Sequence, residues 1–156
     1  MSIRIAGFVV GAVAVSADQA TKMAATRMIT LNESISVLPF FNFVHLRNEG
    51  VSFGLISSAH PWVLSILALT VITILVIWLW RTDVFQIACG LGLIIGGALG
   101  NLLDRLQRGA VTDFLDFHIG GFHWPAFNIA DAAIVSGVIW LVACDFFMRR
   151  AGASNR

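Results

Sequence analysis

Two uninterrupted apolar runs, Pro61 to Trp80 and Val84 to Leu103, constrain the fold most, because neither contains a charged residue. A helix of about 20 mostly apolar residues crosses the hydrocarbon core of a bilayer. In lipid only helices or closed barrels satisfy every backbone polar group. Only Arg81-Thr82-Asp83 separates the two runs, so they are expected as antiparallel neighbouring spans. Weaker runs flank them. Ile5 to Ala17 is uncharged but short, and reaches span length only if Asp18 and Lys22 belong to it, while Ala126 to Met148 is long enough but holds Asp131 and Asp145. Composition agrees with a lipid environment, with 58% hydrophobic and only 12% charged residues, where soluble domains carry about 25% charged.

The first run has a second reading. Arg4, the apolar stretch and Val15-Ser16-Ala17 look like a cleavable secretory signal with a small-x-small site. Against this, Asp18, Thr21 and Lys22 continue at helical spacing, with the acid four residues before the base, the favourable order for an ion pair. The segment is therefore expected as a retained span. The expected fold is an all-α membrane protein of four transmembrane helices with a small β-rich extracytoplasmic cradle between helices 1 and 2. One integral membrane domain would cover residues 1–156, with spans at about 4–23, 61–80, 84–103 and 126–148 and loops at about 24–60 and 104–125. The cradle is expected because Ile35-Ser36-Val37 alternates, and Phe41-Asn42-Phe43 and Val44-His45-Leu46-Arg47 alternate with a one-residue slip between them. An ordered loop without strands is the open alternative.

Four spans place both termini on one face. Arg4, Arg81, Arg149, Arg150 and Arg156 fall there, against Lys22, Arg27, Arg47, Arg105 and Arg108 on the other, so the charge bias is a tie with a slight lean toward cytoplasmic termini. The acids are less even. Seven of nine lie on the face opposite the termini, including Asp18, Asp104 and Asp131 at span ends. Ionisable groups at membrane depth usually mark function, so that face is expected to hold the site. A net charge of +1 without a basic cluster gives no footprint for nucleic acid. Cys89 and Cys144 sit in apolar stretches and are read as small buried hydrophobes. Ala88, Gly92, Gly96 and Gly100 recur every four residues and are read as a helix-packing stripe. Asp104 is the next position along that stripe, and Gly97, Asn101 and Arg105 form the adjacent row.

The chemistry is expected in two stretches. Val111-Thr112-Asp113-Phe114-Leu115-Asp116-Phe117 alternates polar and apolar residues, and Pro125 opens a span carrying Asn128 and Asp131 on one face. Proline suits the first turn of a helix, which would put Asp131 about a turn and a half inside, with Asp113 on a loop that must pack down to meet it. Two carboxylates in contact cannot both stay ionised and share a proton. One can then serve as base toward water and the other as acid toward a carbonyl. Asp131 paired with Arg105 or Lys22 as helix glue remains an equal reading, and Asp116 is expected on a solvated face. Asp104 beside Arg105 reads as an electrostatic partner or helix-end group. His118 and His123 lie near these acids, but no metal-ligand spacing accompanies them. An ion or proton transport subunit using the intramembrane aspartates is the rival function. It would need polar residues continuing inward, and the inner halves of the last three spans are nearly all apolar.

Five motifs together resemble the lipoprotein signal peptidase (signal peptidase II) family. They are Asp18-Gln19-Ala20-Thr21-Lys22, Asn48-Glu49-Gly50-Val51-Ser52-Phe53-Gly54, Gly96-Gly97-Ala98-Leu99-Gly100-Asn101-Leu102-Leu103-Asp104-Arg105, Val111-Thr112-Asp113-Phe114 and Phe127-Asn128-Ile129-Ala130-Asp131. Thr112 departs from the apolar residue more usual in the family. The resemblance implies an aspartic endopeptidase of the bacterial inner membrane with cytoplasmic termini and its site toward the periplasm. It implies cleavage of diacylglyceryl-modified prolipoproteins just before the lipidated cysteine. Asp113 and Asp131 would be the catalytic pair, with Asp18, Lys22, Asn48, Gly50, Asn101, Asp104, Arg105, Asn128 and Ala130 supporting the site. Membrane lipid would be a partner, the chain a monomer, and neither metal nor organic cofactor would be required.

Overall fold

The computed structural model describes residues 2–50 and 61–154. Val51 to Gly54 of the second motif and Arg156 of the tail lie outside the described residues. Among the described residues four helices form, α1 (Ile3–Met28), α2 (Pro61–Arg81), α3 (Phe85–Arg108) and α4 (Ile129–Ser154), each holding a stretch long and apolar enough to cross a membrane. The 21 residues of α2, at about 1.5 Å each, reach roughly 30 Å. The chain is a multi-pass membrane protein. Arg4 lies 3.7 Å from Asp83, so the start of α1 and the α2–α3 turn share a face.

Helix α3 is the central post, with α1, α2 and α4 all packed on it. Its small residues make this possible. A Cβ on Gly92 would run into the Gly7 carbonyl of α1, one on Gly96 into the Gly11 carbonyl, and one on Gly97 into the Ala130 carbonyl of α4. The matching stripe on α1 is Gly7, Gly11, Ala14, Asp18, Lys22 and Ala25, all buried. Without a hydrophobic force between helices in lipid, this close backbone approach gives the contact its strength. It also carries the polar pair Asp18 and Lys22 into the same seam. Cys89 and Cys144 are free and half-buried, less enclosed than expected.

A sheet caps the far end of the bundle, in the order β1 (Ser34–Leu38), β2 (Phe41–Asn48), β3 (Val111–Ile119) and β4 (Phe122–His123), with every pair antiparallel. Half of this cradle thus comes from the α3–α4 segment, beyond the part expected between the first two helices. The slip in alternation after Phe43 is a bulge. Phe43 pairs with Leu115 and Leu46 with Asp113, so β2 carries one residue more than β3 over that interval. The extra residue re-aims the strand just before Asp113, a common use of bulges beside sites.

Candidate active site

Asp113 lies on strand β3, not on a loop. Its backbone is held by pairing with β2 on one side and by the bridge between Leu115 and Phe127 next to it. That bridge also corrects the start of α4. Phe127 is committed to Phe114 and Leu115 through bonds of 2.9–3.1 Å, so Pro125 stays outside the helix, which starts only at Ile129. Asn128 becomes the N-cap. Its Oδ1 accepts from the Asp131 N–H at 3.0 Å, and its own N–H donates to Asp131 Oδ2 at 3.2 Å. This reciprocal arrangement is a capping box, and it puts Asp131 in the first turn of α4. The Ala130 N–H, another donor at this helix start, is satisfied from α1 by Asp18 Oδ1 at 2.9 Å.

Every oxygen of the two aspartates has a donor. Asn48 Nδ2 donates to Asp113 Oδ2 at 2.9 Å and Asn128 Nδ2 to Asp113 Oδ1 at 2.7 Å. Asn101 Nδ2 donates to Asp131 Oδ1 at 2.8 Å. Asn128 therefore touches both carboxyl groups. Burial pushes the Asp113 carboxyl up to about 6, with the nearby Asp131 charge adding to it, although bonds from Asn48 and Asn128 oppose the rise. Gly50, at φ 98°, donates its N–H to Asn48 Oδ1 at 2.9 Å, which turns the NH2 of Asn48 toward Asp113.

Beneath the aspartates lies a buried charge cluster. Lys22 Nζ is 2.9 Å from Asp18 Oδ2 and 3.4 Å from Asp104 Oδ2, and Arg108 Nη1 is 2.5 Å from Asp104 Oδ1. Two cations balance two acids, which is what a desolvated cluster requires. Gly100 leaves room for it, since a Cβ there would strike Asp18 Oδ2. Asp104 also accepts the Thr112 N–H at 2.9 Å, tying the start of β3 to α3. Among the described residues Asp131 forms no ion pair with Lys22 or Arg105, so the helix-glue alternative does not describe it. Arg105 forms no ion pair there either, although the charges of Asp131, Asp113 and Asp104 act on it.

Residues outside the expected set contribute. Gln19 Nε2 donates to Asp18 Oδ2, the Gly100 carbonyl and Asp104 Oδ1 at 3.1–3.2 Å. Its place directly after Asp18 is visible in sequence, but nothing there distinguishes it from a lipid-facing glutamine. Asp116 is buried, contrary to the solvated face expected. It accepts from Asn42 Nδ2 at 2.9 Å and bonds His123 Nδ1 at 3.0 Å. Burial raises its carboxyl, but the bonds from His123 and Asn42 outweigh it and leave it below its ordinary value. Leu46, Arg47, Asn48, Glu49, Asp113, Pro125 and Ala126 line a cavity of about 360 Å³ that opens on Asp113. A more apolar cavity of about 370 Å³ on the β3–β4 hairpin lies among Phe40, Phe117, His118, Ile119, Phe122 and Trp124.

Comparison with known proteins adds to this geometry. A family model described as signal peptidase (SPase) II matches residues 10–147. The lipoprotein signal peptidase of Methylocella silvestris is 42% identical over 160 residues, covering 99% of this chain and 94% of the relative. That of Beijerinckia indica is 43% identical, covering 97% and 94%. A solved chain described as a bacterial membrane enzyme, determined by the in meso method, superposes with a TM-score of 0.80 at 30% identity. The match covers 88% of this chain and 90% of that one.

Proposed function

Because the chain belongs to the signal peptidase II family, we propose that it cleaves prolipoproteins by an aspartic mechanism in which Asp113 and Asp131 share one proton. It is a peptidase that removes the signal peptide of lipoproteins. The observation that carries the aspartic reading is the bridging of both carboxyl groups by Asn128. In the reaction, the ionised carboxylate takes a proton from water as the water oxygen adds to the scissile carbonyl carbon. The protonated carboxyl gives its proton to the carbonyl oxygen. Collapse of the diol breaks the C–N bond, and the departing amine receives a proton from the pair.

The cavity beside Asp113 has room for an extended peptide segment. Asp18, Lys22, Asn48, Gly50, Asn101, Asp104, Arg105, Asn128 and Ala130 support the site, and Arg105, which lies in the field of Asp131, Asp113 and Asp104 but forms no ion pair among the described residues, is available to a substrate carbonyl. The substrate carries its diacylglyceryl group in the outer leaflet of the bacterial inner membrane and enters laterally, with the cut just before the lipidated cysteine. The chain acts as a monomeric, single membrane domain with its site toward the periplasm and its termini in the cytoplasm, the orientation toward which Arg149-Arg150 directly beside the last span leans.

The test is reconstitution of the purified chain in lipid with a prolipoprotein, presented once with and once without diacylglycerol, and mass spectrometry of the products. A single cut before the lipidated cysteine, absent from the unmodified substrate, is expected. Equal cutting of both forms, or cutting elsewhere, overturns the substrate assignment.

A further inference from the structure

Lys22 has three N–H donors and no lone pair to offer. Two of them face Asp18 and Asp104, and the third reaches Asn101 Oδ1 at 2.9 Å. An amide beside an ammonium can present only its oxygen, so the NH2 of Asn101 is forced to the opposite side. There it meets Asp131 Oδ1 at 2.8 Å. Asn128 Nδ2, at 3.3 Å, also points at Asn101 Oδ1 and agrees with the same orientation. The other two asparagines follow one rule. The Asp131 N–H fixes the carbonyl of Asn128, and the Gly50 N–H fixes that of Asn48. All three amides are thus turned by a group that can only donate, so that their NH2 groups face carboxylates. For Asn48 and Asn128 the turning group is backbone, which no side-chain change removes. For Asn101 it is the Lys22 side chain.

We infer that Lys22 is a positioning residue for the cleavage reaction, locking the Asn101 amide with its NH2 on Asp131 and so holding that carboxyl in register with Asp113. This rests on the aspartic reading above and deepens it. Lys22 is wholly buried behind α3 and cannot itself reach a substrate, so its effect must travel through Asn101. The charges that act on this group are Asp18 from its own helix, Asp104 from α3 and Asp113 from β3, while Arg108 shares Asp104 with it, and Arg105 from α3 and Asp131 from α4 are the other charged groups of the site. With the ammonium gone, only the longer bond from Asn128 Nδ2 at 3.3 Å holds the Asn101 oxygen, and the amide turns more readily to put that oxygen on Asp131, where two acceptors would oppose each other.

The test is a double-mutant cycle on kcat and KM in reconstituted enzyme. Lys22→Met is made together with Asp18→Asn, so that no lone buried charge remains, and each protein's thermal unfolding is recorded. Misplacing a reacting group by about 1 Å can lower the rate on the order of 10²-fold. Such a fall in kcat, with KM within about twofold, is expected. Adding Asn101→Ala should lower kcat no further, because both changes remove one shared interaction. If the neutral pair does not fold, the cycle is run with Lys22→Arg, which keeps the charge and a donor toward Asn101. It should retain more activity than any Asn101→Ala protein and have no effect once Asn101 is alanine. Losses that multiply, or a rise in KM at unchanged kcat, overturn the positioning role. Asp113→Asn and Asp131→Asn run in parallel separate the two levels. If these cleave normally the aspartic reading itself fails, whereas if they are inactive and the cycle multiplies, only the role of Lys22 fails.

Discussion

Removing Asn48 should move the alkaline limb of the pH profile upward. Asn48 donates to Asp113 Oδ2 at 2.9 Å and favours the ionised form, while burial holds that carboxyl at about 6. A hydrogen bond to a charged group is worth about 1.5–3 kcal/mol, and one pH unit corresponds to about 1.4 kcal/mol. Water entering from the neighbouring cavity will replace part of the bond, so Asn48→Ala should raise the limb by about one unit. The pair needs one proton, so kcat/KM in the wild type falls as pH rises through about 6, and by pH 7 it is roughly tenfold below its plateau. The assay is kcat/KM for a lipidated peptide substrate from pH 4.5 to 8.5 in lipid nanodiscs. Its shape is read separately from its height, since the variant also loses rate. A limb that stays in place or moves to lower pH refutes the reasoning. Linkage fixes the sign of stability as well. Asp113 holds its proton more tightly folded than unfolded, so its contribution favours the fold at low pH and is lost as pH climbs from about 4 to about 6. Unfolding in the same discs should track that loss in the wild type and not in Asp113→Asn.

Three further outcomes follow from the packing. Gly100→Ala forces a Cβ onto Asp18 Oδ2 and should destabilise by about 1–3 kcal/mol. Gly109→Ala, whose Cβ would enter open space at φ 74°, should cost about 1 kcal/mol, and thermal unfolding distinguishes the two. Asp104→Ala leaves Lys22 and Arg108 short of a partner and should cost about 3–5 kcal/mol, while Asp83→Ala, on an exposed turn, should stay within about 0.5 kcal/mol. Asn128→Ala removes both the cap of α4 and a bond to Asp113. It should lose about 1 kcal/mol of stability and at least tenfold in kcat, whereas a purely structural cap would lose stability alone.

The helices were legible because lipid demands long apolar runs, and α2 and α3 announce themselves by that demand. The glycine stripe was legible for the same reason, since close approach in lipid selects small residues at one spacing. Strand β2 was even readable to its bulge, where alternation slips between Phe43 and Leu46. The start of α4 was misread because Pro125 is as compatible with extended chain as with a first turn, and only the pairing of Phe127 with β3 decides between them. The alternation over Val111 to Phe117 is legible, but that it is a paired strand holding Asp113 depends on β2, which lies more than 60 residues away in sequence. Burial of Asp116 depends on Asn42 and His123, which come from two other strands. The donors around the aspartates were quoted in the motifs. Their directions were not legible, because which end of an amide faces a carboxylate depends on contacts distant in sequence, such as Lys22 on Asn101.

The central claim is that Asp113 and Asp131 together perform the cleavage. Purified Asp113→Asn and Asp131→Asn, each with wild-type thermal unfolding checked in the same lipid, should process a diacylglyceryl-modified prolipoprotein at least about 10³-fold more slowly than wild type. Cleavage by either folded variant at a rate within tenfold of wild type would contradict the account.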